Sequence, residues 1–305
     1  MLYKTRESLN RKWFDYSCRG ILSTPPIQTK KSGAIILSMV AHRDVLMYLI
    51  AVKSIYKYIN AGEIVVLNDG TITDRDIALL KYHFSSLVVH DLADVNTGRC
   101  PKGGTWERLF LISEYAKQYY VVQIDSDTIT TSDVSEVAEC LENNRSFTLG
   151  TEVGQSFQPI RKISERMKAE DGLHVQVMSE KNFDKLKNNE RLMYARGCSG
   201  FAGFAKGSFS WNDVESFSQQ MDDILGSKWT EWGSEQVTSN YIVANSQHAE
   251  VLPYSKYASY YPHLNVNYDN SSFLHFIGKN RFKNNLYIKK AQVAIKNNIG
   301  RSSNG

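Results

Sequence analysis

The first half of the chain alternates strand-like and helix-like segments, and this order constrains the fold more than any other feature. The strand-like runs are apolar and β-branched: GAIILSMV, EIVVLN, SLVVHDL and YYVVQI. The segments between them keep apolar residues at helical spacing: VLMYLIAVKSIYKYI, DRDIALLKYHF and TWERLFLISEYAKQY. Strands joined by helices predict right-handed crossovers in a mostly parallel central sheet flanked by helices. We therefore predict an α/β fold.

The fourth strand-like run ends in two aspartates, Asp125 and Asp127. Ligands bind open α/β sheets beyond the carboxyl ends of the strands. Residues i and i+2 share a face of a strand, so the two carboxylates can converge on one cation, and oxygen ligands suit Mg²⁺ or Mn²⁺. The alternative is a solvated turn, since aspartate is common in turns.

Other polar residues follow the first two strands and are predicted to line the same rim, which is the edge of the sheet at the carboxyl ends of its strands. Ser38 and His42 lie at the end of the first run, and Asp69 lies in the NDG turn after the second. The glycine signatures of dinucleotide folds and P-loops, G-x-G-x-x-G and G-x-x-x-x-G-K-[ST], do not occur in the expected context. A bound nucleotide must be held in another way.

The positive charge of the chain is concentrated at its C-terminal end. The net charge is +4, but seven of the 36 basic residues lie from Lys279 onward with no acidic residue, which leaves 29 basic against all 32 acidic residues before it. A mildly acidic body does not suit a nucleic-acid groove, and no zinc-finger, RNP or helix-turn-helix signature occurs. We predict that nucleic acid is not a partner.

The basic tail also carries apolar residues at helical spacing. These are Tyr287, Ile288, Ala291 and Ile295. A basic amphipathic helix can lie on an anionic membrane surface, and such contact is one interpretation of the tail. A C-terminal helix docked on the protein has the same pattern.

We predict a cytoplasmic protein. If the basic tail binds a membrane, that contact would be peripheral and at the inner face. No apolar run approaches the roughly 18 to 20 residues that span a bilayer, and the N-terminus lacks the apolar core of a signal peptide. The four cysteines have no C-x-x-C spacing, so we expect free thiols in a reducing compartment. They are Cys18, Cys100, Cys140 and Cys198.

The second half contains three further segments of interest. GCSGFAGFAKGSFSW is typical of a strand that another backbone or a ligand approaches closely. WTEWGSEQVTSNYIVAN predicts a helix capped at Ser234, with Glu235 in its first turn and with Gln236 and Asn240 on one face. SSFLHF runs an apolar stretch into His275.

Taken in order, these segments resemble the nucleotide-sugar glycosyltransferases of GT-A fold, most closely glycosyltransferase family 8. TWERLFLISEYAKQYYVVQIDSD places Arg108 on the helix before a strand that ends like the family's YLDSD. SEQVTSN is similar to the family's DQD-x-L-N, with Glu235 in place of the first Asp. HFIGKNRFK is similar to H-F-x-G-x-x-K-P-W, with Arg281 where the Lys stands and Phe-Lys in place of Pro-Trp. The resemblance covers roughly residues 33–285.

The resemblance implies a metal site and a diphosphate site. Asp125, Asp127 and His275 would ligate the metal. An imidazole ligand shifts the preference from Mg²⁺ toward Mn²⁺. Gly278 would let the backbone approach the diphosphate, and Lys279 and Arg281 would pair with its oxygens.

The same resemblance assigns residues to the rest of the donor. Arg108 would contact the sugar or the β-phosphate, and Gln236 would lie beside the anomeric carbon. The NDG turn is similar to the DDGS turn of family 2 enzymes, which makes Asp69 a contact for the base and implies that this base is uracil. Ser38 and His42 are assigned to the nucleotide by their position at the rim alone.

The predicted function is metal-dependent transfer of a sugar from a UDP-sugar to a hydroxyl acceptor, with retention, in cell-surface glycan or polysaccharide biosynthesis. The acceptor would be a glycan, a glycolipid or a protein. An inverting mechanism, with Glu231 or Glu235 as the base, is the first alternative. A sugar-phosphate nucleotidyltransferase would carry a basic, glycine-rich signature where SMVAHRDVL stands. An inactive carbohydrate-binding relative is the third alternative.

The predicted domain organisation has three parts. Residues 1–31 form a polar, irregular extension. Residues 32–285 form the GT-A catalytic domain, with a nucleotide-binding half at 32–133 and a less regular acceptor-side half at 134–285. Residues 286–305 form the basic, helical tail.

Overall fold

The computed structural model describes residues 2–299, with side chains described for residues 7–298. This part of the chain forms ten α-helices: α1 (Leu2–Cys18), α2 (Val45–Ile59), α3 (Asp74–His83), α4 (Trp106–Ala116), α5 (Ser135–Glu142), α6 (Ile160–Met167), α7 (Val175–Lys181), α8 (Trp211–Leu225), α9 (Ser234–Ala244) and α10 (Leu286–Ile299). It also forms twelve strands: β1 (Ala34–Val40), β2 (Glu63–Asn68), β3 (Leu87–Asp91), β4 (Tyr120–Ile124), β5 (Thr128–Thr130), β6 (Phe147–Leu149), β7 (Gln158–Pro159), β8 (Met193–Tyr194), β9 (Cys198–Phe204), β10 (Glu250–Val251), β11 (Tyr257–Ser259) and β12 (Phe273–His275).

The central sheet has seven strands in the order β10-β6-β9-β4-β1-β2-β3. The pairs β1–β2, β2–β3 and β6–β10 are parallel, whereas β6–β9 is antiparallel. Every strand and helix predicted in the first half of the chain is present. The predicted α/β fold, with a mostly parallel sheet flanked by helices, is confirmed.

Local sequence signals set the ends of the helices that connect β1, β2 and β3. α2 ends at Asn60, whose φ of 46° is left-handed and whose N–H donates to the Tyr56 carbonyl. α3 begins with a capping box, in which Thr73 accepts from the Asp76 N–H and the Asp76 carboxylate accepts from the Thr73 N–H. These caps bring each helix back toward the next strand.

The chain divides into two compact units, each built from separate segments. The first unit holds the described residues up to Asp91, Ile124–Ala138 and the described residues from Ser255 onward. The second unit holds Leu92–Gln123 and Glu139–Tyr254. The predicted halves are continuous in sequence and meet at residue 133. In the structure, the first unit also includes the described residues from Ser255 onward. These residues belong to it because β12 pairs antiparallel with β5, which lies in the same unit.

The N-terminal segment is helical, so the prediction of an irregular extension is wrong for Leu2–Cys18. Phe14 is buried, and its ring stacks on that of Tyr287 with centroids 4.3 Å apart. The polar composition of this segment concealed an inward face that packs against α10 and α2.

The described part of the basic tail, Leu286–Ile299, is helical as predicted, and most of its apolar face is turned inward. Tyr287, Ala291 and Ile295 on α10 are all buried. These three residues are therefore not available to a membrane, whereas Ile288, the fourth residue of the predicted face, is only half-buried. The tail is docked on the protein through this face. Arg301, counted among the basic residues of the tail, lies outside the described residues. Among the helices described, none has both the length and the apolar character needed to cross a bilayer.

All four cysteines are free and buried, as the prediction of free thiols requires. Burial raises the pKa of the Cys18 thiol to about 12 and that of Cys100 to about 11. Both groups therefore stay protonated near neutral pH and behave as small apolar side chains.

Candidate active site

The two aspartates of the D-x-D motif lie in the turn between β4 and β5. β4 is buried along its whole length, so the chain leaves the core at Asp125. The Thr128 hydroxyl donates to the Asp125 carbonyl at 2.9 Å, which tightens the turn. In the antiparallel pairing of β5 with β12, Thr128 lies opposite His275. The strand register thus brings His275 to the motif across 148 positions of sequence.

Asp125, Asp127 and His275 form a compact cluster in the first unit. His275 Nε2 lies 3.0 Å from Asp127 Oδ1 and 3.6 Å from Asp125 Oδ2. One potential ligand atom from each residue lies within 4.8 Å of the others. The side chain of Asp125 is 30% exposed, whereas those of Asp127 and His275 are buried. Two carboxylates and one imidazole with an open side suit a divalent ion such as Mn²⁺.

Arg281 is the fourth charged residue of this cluster. Its Nη2 donates to Asp127 Oδ2 at 2.5 Å, and its Nε donates to the Phe276 carbonyl at 3.2 Å. Burial on its own would raise the pKa of Asp127, but His275 and Arg281 outweigh burial and lower that pKa to about 2. Asp127 is therefore ionised near neutral pH, as a metal ligand must be.

The short helical turn after β12 borders a cleft of about 460 Å³ in the first unit. Gly278 has a φ of 44°, so a larger residue there would be strained. The cleft is lined by Gly278, Lys279, Phe282, Lys283, Asn284, Asn285 and, from α1, Glu7 and Asn10. The two α1 residues were not predicted, because the segment that carries them was expected to be irregular.

The polar ends of β2 and β3 are held by side-chain hydrogen bonds. Asn68 Nδ2 donates to Asp91 Oδ1 at 2.7 Å, while Asn68 Oδ1 accepts from the N–H groups of Gly70 and Ile72. Asp69 Oδ1 accepts from the N–H and the hydroxyl of Thr71, and the Asp69 side chain is partly exposed. Sequence reasoning missed Asp91, although SLVVHDL signals an acid at the end of its strand.

His42 and Ser38 occupy different environments. His42 lies just after β1, where its Nδ1 is 2.7 Å from Asp76 Oδ2. Burial opposes ionisation of Asp76, yet hydrogen bonds from Thr73 and His42 lower the pKa of that carboxyl. Ser38 is fully buried within β1, and its hydroxyl donates to the Ile124 carbonyl at 2.6 Å. The structure therefore places His42 at the rim and Ser38 inside the fold.

In the second unit, Arg108 and Glu235 form a buried ion pair. Arg108 Nη2 lies 3.3 Å from Glu235 Oε2, and the two side chains are only 4% and 3% exposed. Glu235 Oε2 also accepts hydrogen bonds from the hydroxyls of Thr105 at 2.7 Å and Ser199 at 3.2 Å. Because burying two charges is expensive, these extra hydrogen bonds are needed to hold the pair.

The side chain of Gln236, on α9, is held by two hydrogen bonds. Its Oε1 accepts from the Ser199 N–H at 3.3 Å, and its Nε2 donates to Gln176 Oε1 at 3.2 Å. Asn240, one turn further, donates to the Gly197 carbonyl at 2.9 Å and accepts from the Thr148 hydroxyl. α9 thus presents the predicted Glu-Gln-Asn motif to β9 and the segment before it.

Two predictions about neighbouring residues can be compared with the structure. The predicted cap, Ser234, is wrong by one position: Gly233 caps α9 with a φ of 109°, and Ser234 instead accepts a hydrogen bond from the Trp106 indole at 3.0 Å. Glu231 lies outside the helix, half exposed, and pairs with Lys228 at 2.8 Å.

Comparisons with known proteins show the fold. No family model matches the sequence, and no curated protein matches it. The bifunctional glycosyltransferase WbbM superposes with a TM-score of 0.56 at 17% identity, over 88% of this chain and 50% of that one. The chain therefore spans about half the length of WbbM. An active-site mutant of LgtC has a TM-score of 0.49 at 9% identity, over 85% and 95% of the two chains.

A further similar structure is the glycosyltransferase GlyE of Streptococcus pneumoniae TIGR4. Its TM-score is 0.46 at 13% identity, over 90% of this chain and 64% of that one. The similarity to WbbM, together with the seven-stranded sheet, carries the conclusion about the fold. The chain has the GT-A fold of glycosyltransferases.

Proposed function

We propose that the protein is a metal-dependent glycosyltransferase that moves a sugar from a nucleoside-diphosphate sugar to a hydroxyl acceptor. The observation that carries this proposal is the cluster of Asp125, Asp127 and His275 after β4 of a GT-A fold. A divalent ion held there would neutralise the charge that develops on the departing diphosphate. The motif resemblance to glycosyltransferase family 8 favours a UDP-sugar as the donor.

The three residues of this cluster have the properties of metal ligands. The imidazole and both carboxylates face one another, and Asp127 is already ionised. The exposed edge of Asp125 leaves a path by which an ion and its remaining ligands can approach. The mixed oxygen and nitrogen donors favour Mn²⁺, with Mg²⁺ as the alternative.

We assign Arg281, Lys279 and Gly278 to the diphosphate. Arg281 is held beside the metal ligands by its bond to Asp127, and guanidinium groups pair well with phosphate oxygens. Lys279 is exposed at the cleft, where its ammonium group can meet an anion. Gly278 carries no side chain that would keep a ligand from the backbone.

We assign the nucleoside to the carboxyl ends of β1 and β2. Asp69 is partly exposed, and only its Oδ1 is needed for the turn at Thr71. His42 is exposed and oriented by Asp76. Ser38 contributes by anchoring β1 to Ile124 and not through a free hydroxyl. A carboxylate that accepts from an imide N–H suits uracil.

On the family resemblance, we assign Gln236 to the anomeric carbon and Arg108 to the sugar or the β-phosphate. Retention is favoured by the state of the two acids beside them. Glu235 is paired with Arg108 and accepts from two hydroxyls, so it supports the site and is poorly suited to act as a base. Glu231 is paired with Lys228 at the surface. The inverting alternative depends on one of these two carboxylates.

The acceptor is assigned only by class: a hydroxyl group on a glycan, a glycolipid or a protein, in the assembly of cell-surface glycans. A nucleotidyltransferase would use the same kind of metal site but would release inorganic diphosphate from a nucleoside triphosphate. The released product therefore separates these two activities.

The test is to incubate the protein with a panel of nucleotide sugars, with and without Mn²⁺, and to measure the released nucleoside diphosphate. We expect metal-dependent release from a UDP-sugar, loss of release in Asp127→Asn, and no change in Asp222→Asn, which alters an exposed acid on α8. If Asp127→Asn binds and hydrolyses every donor as the wild type does, the proposed function is wrong. NMR of the anomeric proton in donor and product then decides between retention and inversion.

A further inference from the structure

α1 carries an exposed apolar stripe on the side opposite its buried face. Leu9, Trp13 and Tyr16 are 61%, 56% and 59% exposed. Their spacing of four and three residues puts them on one side of the helix. The rings of Trp13 and Tyr16 stack with centroids 5.9 Å apart, so two of the three side chains contact each other. Large apolar side chains that are exposed next to one another are uncommon on soluble proteins, and patches of them are typical of interaction sites.

Basic residues flank this stripe on two helices. On α1, Lys12 is exposed and the Arg19 guanidinium, just beyond the helix, lies 4.7 Å from the centre of the Tyr16 ring. α10 packs beside α1, where the amide of Gln292 donates to the Ser17 carbonyl at 3.4 Å. On α10, Lys289 and Lys296 are exposed. We call these residues the α1–α10 surface: Leu9, Lys12, Trp13, Tyr16, Arg19, Lys289 and Lys296.

Acidic side chains are placed away from this surface. α10 contains no acidic residue among those described. In α1, Glu7 lines the cleft beside Gly278. Asp15 is partly buried close to Arg11, and burial raises its pKa. The charge of the α1–α10 surface is therefore uniformly positive, although the body of the protein is mildly acidic.

We infer that the α1–α10 surface binds an anionic lipid surface. Tryptophan and tyrosine are suited to the boundary between headgroups and acyl chains, and lysine and arginine extend their charges to lipid phosphates. Stable peripheral binding takes both an apolar and an electrostatic contribution, and this surface has both. The apolar contribution comes mainly from α1, because Tyr287, Ala291 and Ile295 of α10 are buried and, among the described apolar residues of that helix, only Val293 is exposed, at 46%. This inference does not rest on the proposed function.

A second copy of the chain fits this surface less well. A two-fold interface would bring the basic residues of one copy against those of the other, and like charges oppose such contact. A stable dimer also buries roughly 800 Å² per partner, more than three exposed apolar side chains supply. An anionic membrane meets both the aromatic and the basic groups at once.

The test uses the full chain and vesicles of phosphatidylcholine with or without phosphatidylglycerol, at low and high salt, measured by co-sedimentation. We expect binding to the anionic vesicles that weakens with salt. Trp13→Ser combined with Tyr16→Ser, and Lys289→Gln combined with Lys296→Gln, should each lower affinity by about tenfold or more. The matched control is Lys81→Gln combined with Tyr82→Ser on α3, where Tyr82 is 64% exposed outside this surface. Circular dichroism and thermal melting confirm that each variant folds.

A spectroscopic measurement locates the contact on α1. Tryptophan emission should shift to the blue on anionic vesicles. Trp13→Phe should abolish that shift while vesicle binding is largely kept, because Phe preserves the apolar ring. The inference is overturned if phosphatidylglycerol does not increase binding, or if the Trp13 and Tyr16 variant binds like the control. It is also overturned if that variant converts a wild-type dimer to a monomer in sedimentation velocity, because a second copy would then occupy the surface.

Discussion

Arg281 Nη2 lies 2.5 Å from Oδ2 of Asp127, on the carboxylate whose other oxygen faces His275. One buried aspartate is thus shared between a permanent cation and the candidate metal cluster. Because Arg281 also follows the turn at Gly278, it links the cluster to the residues assigned to the diphosphate. The charge at this centre is therefore partly balanced before any metal binds.

The first prediction concerns Asp127. Asp127→Asn removes a charged ligand at nearly constant volume, so Mn²⁺ affinity and glycosyl transfer should both fall, the latter by about 100-fold or more. The variant also leaves Arg281 without its carboxylate partner, which should lower the free energy of unfolding by about 1 to 3 kcal/mol. Titration calorimetry, initial rates and urea unfolding measure the three effects. Wild-type Mn²⁺ affinity in the variant would contradict Asp127 as a ligand.

The second prediction separates metal binding from diphosphate binding at Arg281. Arg281→Met removes a positive charge beside Asp127, so Mn²⁺ alone should bind more tightly. The nucleoside diphosphate should bind about tenfold or more weakly, since a charge-assisted pair to phosphate is lost. Arg281→Lys, which keeps the charge, is the control. Its affinities for Mn²⁺ and for the nucleoside diphosphate should each lie between those of the wild type and Arg281→Met. If both affinities fall together, Arg281 serves only to hold the structure of the turn.

Much of the fold follows from local sequence. The strands β1 to β4 and the helices between them are predicted by the spacing of apolar residues, which can be read within a short stretch of sequence. The candidate metal cluster required more than a local pattern, because Asp127 and His275 are 148 positions apart in sequence. It was nevertheless predictable, since both residues lie in motifs whose order resembles that of glycosyltransferase family 8.

Other features depend on tertiary contacts that no local pattern contains. The Arg281–Asp127 and Arg108–Glu235 pairs join residues 154 and 127 positions apart. α1 was missed because its polar composition hides an inward face that packs against α10 and α2. The burial of Tyr287 likewise follows from packing against the rings of Phe14 and Phe276, which the sequence of the tail does not reveal.

The third prediction distinguishes the roles of Glu235 and Glu231. Glu235→Ala removes the carboxylate that balances the buried charge of Arg108, so the free energy of unfolding should fall by about 3 to 5 kcal/mol. Glu231→Gln breaks only an exposed pair with Lys228, and its effect should be below about 0.5 kcal/mol with transfer unchanged. Urea unfolding and initial rates measure both variants. If Glu231→Gln abolishes transfer without changing stability, and the product anomer is inverted, Glu231 is the base and the retaining mechanism is wrong.

The fourth prediction concerns the pH dependence of stability through His83 on α3. His83 is fully buried, and neither ring nitrogen has a hydrogen-bond partner. Burial, with a smaller contribution from Lys53, lowers the pKa of His83 from 6.5 to about 4. As pH falls below 6.5 the unfolded chain gains a proton that the folded protein resists, so stability is present above 6.5 and is lost toward pH 4, by roughly 3 kcal/mol in total. His83→Phe should flatten urea-unfolding stability across this window, whereas His263→Gln, at an exposed histidine, should leave the wild-type slope. An unchanged slope in His83→Phe would show that other groups cause the acid sensitivity.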